Sequence, residues 1–243
     1  MVEPAQERPR TAVVAGGGGA LGSAVVDLLL ERGECVAVPY IVDAEAERLR
    51  QRHADAVRDG RLRLSEVDVA DGDALAAHLD VVAADWGPLW LACSVAGGWT
   101  GGVNVEDLDD LSLLDLQLRL NLRTAVVTAR EGLRHMGPAG GRVVVVASRT
   151  VRYPAAGQAA YTASKAGVIA LVETLAQELR GTGRTANAVV PKVIDTPANR
   201  QAMPDADHRR WVPPTAIAEV ILWLASPAAW PVSGAAVPVY GDS

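Results

Sequence analysis

Short apolar strands alternate with longer helical patterns along 243 residues, which predicts an α/β domain built on one doubly wound parallel sheet of about seven strands, with helices on both faces. Two local features support this class. The run Gly141–Ser148 (GRVVVVAS) is apolar with almost no alternation, as a strand covered on both faces has to be. A glycine-rich stretch, Ala15–Gly22 (AGGGGALG), joins the first strand to the first helix. The length suits one large domain and is short for two with a linker.

In order, TAVVAG (Thr11–Gly16) predicts a strand and Leu21–Arg32 a helix. CVAVPY (Cys35–Tyr40) is the second strand, followed by one charged helix from Asp43 to about Arg58. RLRLSEVDV is a third strand ending at Asp68, and a helix covers Asp71–Asp85. LWLACSVAGG then runs from a fourth strand into a loop. One long helical region spans Leu111–Met136, before the valine-rich strand that ends at Ser148. A helix over Gln158–Arg180, a strand over Thr185–Val190, a helix over Thr215–Ala225 and a strand over Ala235–Val239 complete the series. Residues 1–10, with Glu3, Glu7 and two prolines, read as a disordered lead-in without a signal peptide, leaving 11–243 as a single domain.

Charge and composition remove several functions. The net charge is −6 with acids and bases interspersed, so no basic stripe exists for a phosphate backbone, and nucleic acid is not an expected partner. Val220–Tyr240 carries no charge, but Pro227, Pro231, Gly234 and Pro238 divide it into a short helix, a turn and a strand, so no membrane span is expected. Cys35 and Cys93 fall in predicted buried strands and read as core residues of a cytoplasmic protein. His53, His78, His135 and His208 are scattered and offer no metal site. Only two of the 23 basic residues are lysines, Lys165 and Lys192, so each survivor invites a reason.

Tyr161 and Lys165 stand four apart on a predicted helix and so share a face. Ser148 ends a strand, and strand carboxyl ends line the ligand crevice of such a sheet. A phenol titrates near pH 10 and works as an acid/base only if its anion is stabilised, which a nearby ammonium does. Ser148 offers a hydrogen bond to a substrate carbonyl. Tyr and Lys four apart are, by contrast, also ordinary surface neighbours, and a glycine-rich strand–helix turn also occurs without a ligand.

Together, AGGGGALG, Asn121 in LNLRT, Ser148 and YTASK (Tyr161–Lys165) resemble the short-chain dehydrogenase/reductase family over residues 11–241. The resemblance implies a Rossmann-type sheet, a catalytic tetrad of Asn121, Ser148, Tyr161 and Lys165, and a nicotinamide cofactor. In it Tyr161 is the acid/base, Lys165 lowers the tyrosine's pKa and binds the nicotinamide ribose, Ser148 orients the carbonyl and Asn121 supports a proton relay. Cofactor contacts implied in this way are Gly16, Gly18, Gly19, Ala20, Leu21, Gly22, Tyr40, Asp68, Val69, Ala96, Gly97, Pro191, Ile194 and Thr196, with Tyr161 and Lys165. Members commonly pair through their two long helices, so a homodimer or homotetramer is expected.

Several positions depart from the family pattern. Ala20 replaces a loop glycine, a change tolerated where φ is negative. Ser94 and Val95 stand in place of paired asparagines, and Lys192 in place of the glycine after Pro191, where either a cofactor phosphate or solvent receives its ammonium. Tyr40 supplies no carboxylate for a ribose diol and Ile41 no cation for a 2′-phosphate; loss of the acid tips the balance to NADP(H) over NAD(H). CSVAGGWTGG and the stretch from Asp195 to Trp211 locally resemble dihydropteridine reductase. Residues 192–213 read as a substrate lid, whose Arg200, Arg209 and Arg210 suit either an acidic substrate or exposed salt bridges. Trp99, beside the nicotinamide, either stacks on a ring substrate or packs its loop. With Ser148 and Tyr161, Trp99 completes the candidate substrate contacts. The expected function is hydride transfer between NAD(P)H and a ketone or alcohol. The alternatives are a quinonoid dihydropteridine-type reductase, and a non-redox cyclase, isomerase or nucleotide-sensing scaffold.

Overall fold

The computed structural model describes residues 9–242. The expected lead-in falls mostly on residues 1–8, outside the described residues. The chain runs β1 (Thr11–Ala15), α1 (Ala20–Glu31), β2 (Cys35–Tyr40), α2 (Asp43–Arg52), α3 (Ala54–Arg58), β3 (Leu62–Glu66), α4 (Gly72–Trp86) and β4 (Leu89–Ser94). It continues through α5 (Ser112–Gln117), α6 (Thr124–His135), β5 (Gly141–Val146), α7 (Ala159–Glu178), β6 (Arg184–Pro191), α8 (Pro197–Ala202), α9 (Pro214–Ala225) and β7 (Ala236–Val239). The strands form one seven-stranded sheet in the order β3-β2-β1-β4-β5-β6-β7, and every pairing is parallel.

Alternation along each strand divides the core between the two faces. Val14, Val36 and Val144 face α1 and α9 through Val25, Leu29, Ile217 and Ile221. Val13, Val143 and Val145 face α4, α6 and α7 through Leu75, Leu79, Val127, Val168 and Val172. Because both faces are covered, the central strands are apolar at nearly every position, with four consecutive valines in β5. The chain leaves β1 in one direction for β2 and returns on the other side for β4, and this reversal opens a crevice at the strands' carboxyl ends.

Four local features differ from the sequence expectation. The helix expected over 43–58 breaks at His53 (φ −121°, ψ 39°), whose Nε2 sits 2.7 Å from Asp27 Oδ1 on α1. The long helix over 111–136 contains a turn of π-helix at Leu118–Arg123, between α5 and α6. β5 stops at Val146, so Ser148 leads a short 3-10 turn over Arg149–Val151 instead of ending the strand. β3 ends at Glu66, two residues before Asp68. The segment 192–213 contains α8 and a 3-10 turn at His208–Arg210, and is tied to itself by a bridge between Ile194 and Val212. Cys35 and Cys93 are buried and free, and no helix of the described residues is long and apolar enough to cross a membrane.

Candidate active site

The crevice begins at the glycine loop. Gly16 has φ +80°, and a Cβ there would lie 2.6 Å from the Ala96 nitrogen, so the turn after β1 requires glycine on both counts. A Cβ on Gly22 would run into the Gly16 carbonyl. Gly19 caps α1 with extended backbone and no side-chain hydrogen bond, and the first turn of α1 holds no acid. Its open N–H groups and dipole suit a phosphate, so this cradle fits a dinucleotide. Ala20 is exposed, and no non-glycine residue among those described has positive φ, so its methyl is tolerated.

Asn121 lies in the π-helical turn, buried, with its side chain turned to the loop after β4. Gly98 N–H donates to its Oδ1 at 3.1 Å, and its Nδ2 donates back to the Gly98 carbonyl at 3.1 Å. A π turn inserts an extra residue into the helix, and such turns recur at functional sites. Gln117, fully buried one turn earlier, lies 2.8 Å from the same amide. A Cβ on Gly97 would lie 2.5 Å from Asn121 Oδ1 and 3.2 Å from Lys165 Nζ, so the loop passes directly over both side chains.

α7 carries Tyr161 and Lys165 to the same place. Lys165 is only 4 % exposed and its ammonium donates to the Val146 carbonyl at 2.8 Å, where β5 ends. Burial lowers its pKa from an ordinary 10.5 to about 8. Burial pushes the Tyr161 phenol up, and a hydrogen bond with Ser148 pulls it back down. The ammonium is thus engaged with backbone, and the group touching the phenol is the serine. Ser148 is buried and also accepts from Thr150 N–H at 3.3 Å.

The remaining predicted contacts divide. Val69 and Pro191 are buried, whereas Ala96, Ile194 and Thr196 are half-buried, Thr196 capping α8 by accepting from Asn199 N–H at 3.1 Å. Asp68 is already engaged: Oδ1 accepts from Ala70 N–H at 2.8 Å and Oδ2 pairs with Arg119 at 2.5 Å. Ser94 is buried with an unpartnered hydroxyl. Trp99 is 56 % exposed beside the loop glycines. Gln117, Glu45, Arg50 and Arg149 were not singled out from sequence. Of these only Gln117 had a signal, its four-residue spacing from Asn121. Glu45 from α2 lies against the loop, since a Cβ on Gly18 would sit 2.8 Å from its Oε2. Arg50, a little further along α2, is hydrogen-bonded to Tyr40 as well as Glu47.

A family model described as short chain dehydrogenase matches residues 10–207. The chain belongs to the short-chain dehydrogenase family. The cis-4-hydroxycyclohexanecarboxylate dehydrogenase of Sinomonas cyclohexanicum is 33 % identical over 243 residues, covering 96 % of this chain and 95 % of that one. The dihydropteridine reductase of Dictyostelium discoideum is 26 % identical, covering 93 % and 92 %. A blue fluorescent protein from a metagenomic library, solved in complex with NADPH, superposes with a TM-score of 0.84 at 26 % identity, covering 97 % and 98 %. Family membership makes the chain an oxidoreductase that uses a nicotinamide cofactor and acts on small molecules.

Proposed function

We propose that this short-chain dehydrogenase interconverts a ketone and a secondary alcohol, with Tyr161 as the acid/base. The observation that carries this reading is the Ser148–Tyr161 hydrogen bond at the carboxyl end of β5, with Lys165 and Asn121 packed behind it. When bound, a nicotinamide cofactor would supply the hydride chemistry at the carbonyl carbon, in either direction. Ser148 donates a hydrogen bond to the carbonyl oxygen and aligns it. Tyr161, protonated at neutral pH as any phenol is and pushed further up by burial, gives that oxygen its proton. Lys165 offers a buried charge to the phenolate left behind and a donor to the nicotinamide ribose. Asn121 holds the Gly97–Gly98 loop and supports the path by which the proton is replaced.

The glycine loop from Gly16 to Gly22 would hold the pyrophosphate, while Tyr40, Asp68, Val69, Ala96, Gly97, Pro191, Ile194 and Thr196 would line the rest of the cofactor. Asp68 serves the adenine through whichever acceptor capacity Arg119 leaves it. The tail favours NADP(H): Tyr40 carries no acid and Arg50 supplies a guanidinium at its hydroxyl. Glu45 opposes this choice from across Gly18, which makes it the position to test. Trp99 and the segment 192–213 cover the substrate.

Ser148 in contact with Tyr161 favours a carbonyl substrate over a quinonoid dihydropterin, and a complete tetrad opposes a non-redox role. The Sinomonas relative, whose name gives a hydroxylated ring carboxylate, supports the same substrate type. We further infer one domain over residues 11–243, a cytoplasmic setting for its two free cysteines, and self-association through α5–α6 and α7. Fluorescence of NADPH and NADH on mixing tests the cofactor, and a Tyr161→Phe variant tests the acid/base. The variant should keep cofactor affinity while turnover of a ketone panel falls about 10²–10⁴-fold. Unchanged turnover removes Tyr161 from the mechanism.

A further inference from the structure

The carboxyl ends of β5, β6 and β7 lie side by side, and each leads into the rim beyond Ser148. β5 leads into Arg149, directly after Ser148; β6 ends at Pro191 and leads into Lys192. Val239 of β7 pairs with Pro191, which brings Tyr240 next to Lys192. The Arg149 guanidinium sits over two rings, 4.3 Å from the centre of Tyr153 and 5.5 Å from that of Tyr240, and its Nε is buried without a hydrogen-bond partner. Arg210, from the 3-10 turn of the covering segment, donates twice to the Asp242 main-chain carbonyl, at 3.1 and 2.8 Å. A carbonyl satisfies those donors without an ion pair, and the carboxylate that feels its charge, Asp207, is already held by Arg209. Lys192 feels both neighbours: burial first, then the charges of Arg149 and Arg210, lower its pKa.

The other cations of this segment are neutralised locally. Arg200 grips Asp195 through two hydrogen bonds at 2.6 and 2.8 Å, and Arg209 pairs with Asp207 at 2.9 Å. Among the described residues, none of Arg149, Lys192 and Arg210 forms an ion pair with a carboxylate. Three like charges are thus concentrated at the β5–β7 end of the sheet, one of them adjacent in sequence to Ser148, in a chain whose net charge is −6. Such an arrangement raises the local concentration of anions and orients them. The dinucleotide's pyrophosphate has a separate cradle. The glycine loop follows β1, two strands from β5 and three from β6, which at about 4.8 Å per strand places its phosphate cradle roughly 10–14 Å away.

We propose that Arg149, Lys192 and Arg210 receive a carboxylate on the substrate, making the substrate class keto and hydroxy acids. The carboxylate lies over the β5–β7 edge while the reacting carbon lies at Ser148 and Tyr161. This rests on the redox reading above, and deepens it by naming the substrate's second functional group.

Two measurements separate the two readings. The first compares kcat/KM for 4-oxocyclohexanecarboxylate and its methyl ester with NADPH. The acid should be preferred at least tenfold at low salt, with the preference shrinking as salt rises. Lys192→Gln and Arg210→Gln should each collapse the acid-to-ester ratio towards one through KM of the acid, and Lys192→Glu should reverse it. Equal use of acid and ester by the native enzyme overturns the proposal. So does a Lys192→Gln variant that loses NADPH affinity and keeps its acid preference, because that assigns Lys192 to the cofactor. The second measures binding of cyclohexanecarboxylate, which has no group to reduce, through tryptophan fluorescence of the NADPH-loaded protein. Binding weakened about tenfold by Lys192→Gln supports the carboxylate site even if no ketone is turned over, an outcome that would count against the redox reading alone. No saturable binding in the native protein overturns the site itself.

Discussion

Replacing Lys165 by methionine should stabilise the cofactor-free protein while ending its turnover. Its ammonium is 4 % exposed, and its pKa falls from 10.5 to about 8 on burial. That change charges the protonated form about 3 kcal/mol at neutral pH. Methionine matches the stem without the charge, and forfeits the 2.8 Å hydrogen bond to the Val146 carbonyl, worth about 1.5 kcal/mol. The difference leaves the variant about 1–2 kcal/mol more stable, a rise in Tm of about 3–6 °C for a chain of this size. The sign with pH follows from proton binding. Between about 8 and 10.5 the unfolded chain holds a proton on this lysine that the folded chain lacks, so native stability rises with pH across that window. The variant's advantage is therefore full at pH 7, shrinks above pH 8 and is exhausted about 1–1.5 pH units higher, beyond which the native protein is the more stable. Thermal unfolding of both proteins without cofactor at pH 7, 9 and 10, followed by tryptophan fluorescence, reads this directly. A variant less stable than native at pH 7, or a Tm difference that ignores pH, refutes the reasoning.

Three other outcomes follow from contacts already described. Glu45→Gln should tighten NADPH about fivefold relative to NADH in titration calorimetry, since it removes a carboxylate from beside the loop at Gly18; no change in the ratio places the 2′-phosphate elsewhere. Gly97→Ala forces a Cβ to within 2.5 Å of Asn121 Oδ1, at φ +154°, and should cost about 2 kcal/mol or more together with most of the turnover, read by thermal unfolding and initial rates. Cys93 is pushed up to about 12 by burial and Cys35 is raised for the same reason, so a disulfide reagent at pH 8 should titrate neither thiol until denaturant exposes both. One fast-reacting thiol in the native protein would contradict that.

Much of the site could be read along the chain because its signals are local. The Tyr161–Lys165 spacing is a helical repeat, Ser148 follows an unmistakable valine strand, and Gly16–Gly22 sits between a strand and a helix, so each needs only its own neighbours to be recognised. What Lys165 touches is different in kind. Nothing in YTASK says that its ammonium meets the Val146 carbonyl, or that Ser148 and not Lys165 is the group bonded to the phenol. Those contacts depend on where α7 crosses β5.

Periodicity likewise foretold the alternation of strands and helices, since side-chain spacing of two or 3.6 is written in consecutive residues. It could not show the π turn at Leu118–Arg123, because inserting one residue into a helix leaves the apolar pattern almost intact. Asp68 was legible as an acid after the third strand, but its capture by Arg119, fifty-one residues away, was not. Glu45 against Gly18, and Arg149 gathered with Lys192 and Arg210, also come from distant segments of the chain. The chain's order of residues is enough to specify its layers and the kinds of group that do the chemistry. Which charges face each other, and so which cofactor tail and which substrate charge the enzyme accepts, is settled only when the sheet brings β1, β5, β6 and β7 to one edge, since electrostatic energy depends on distances that residue numbers do not contain.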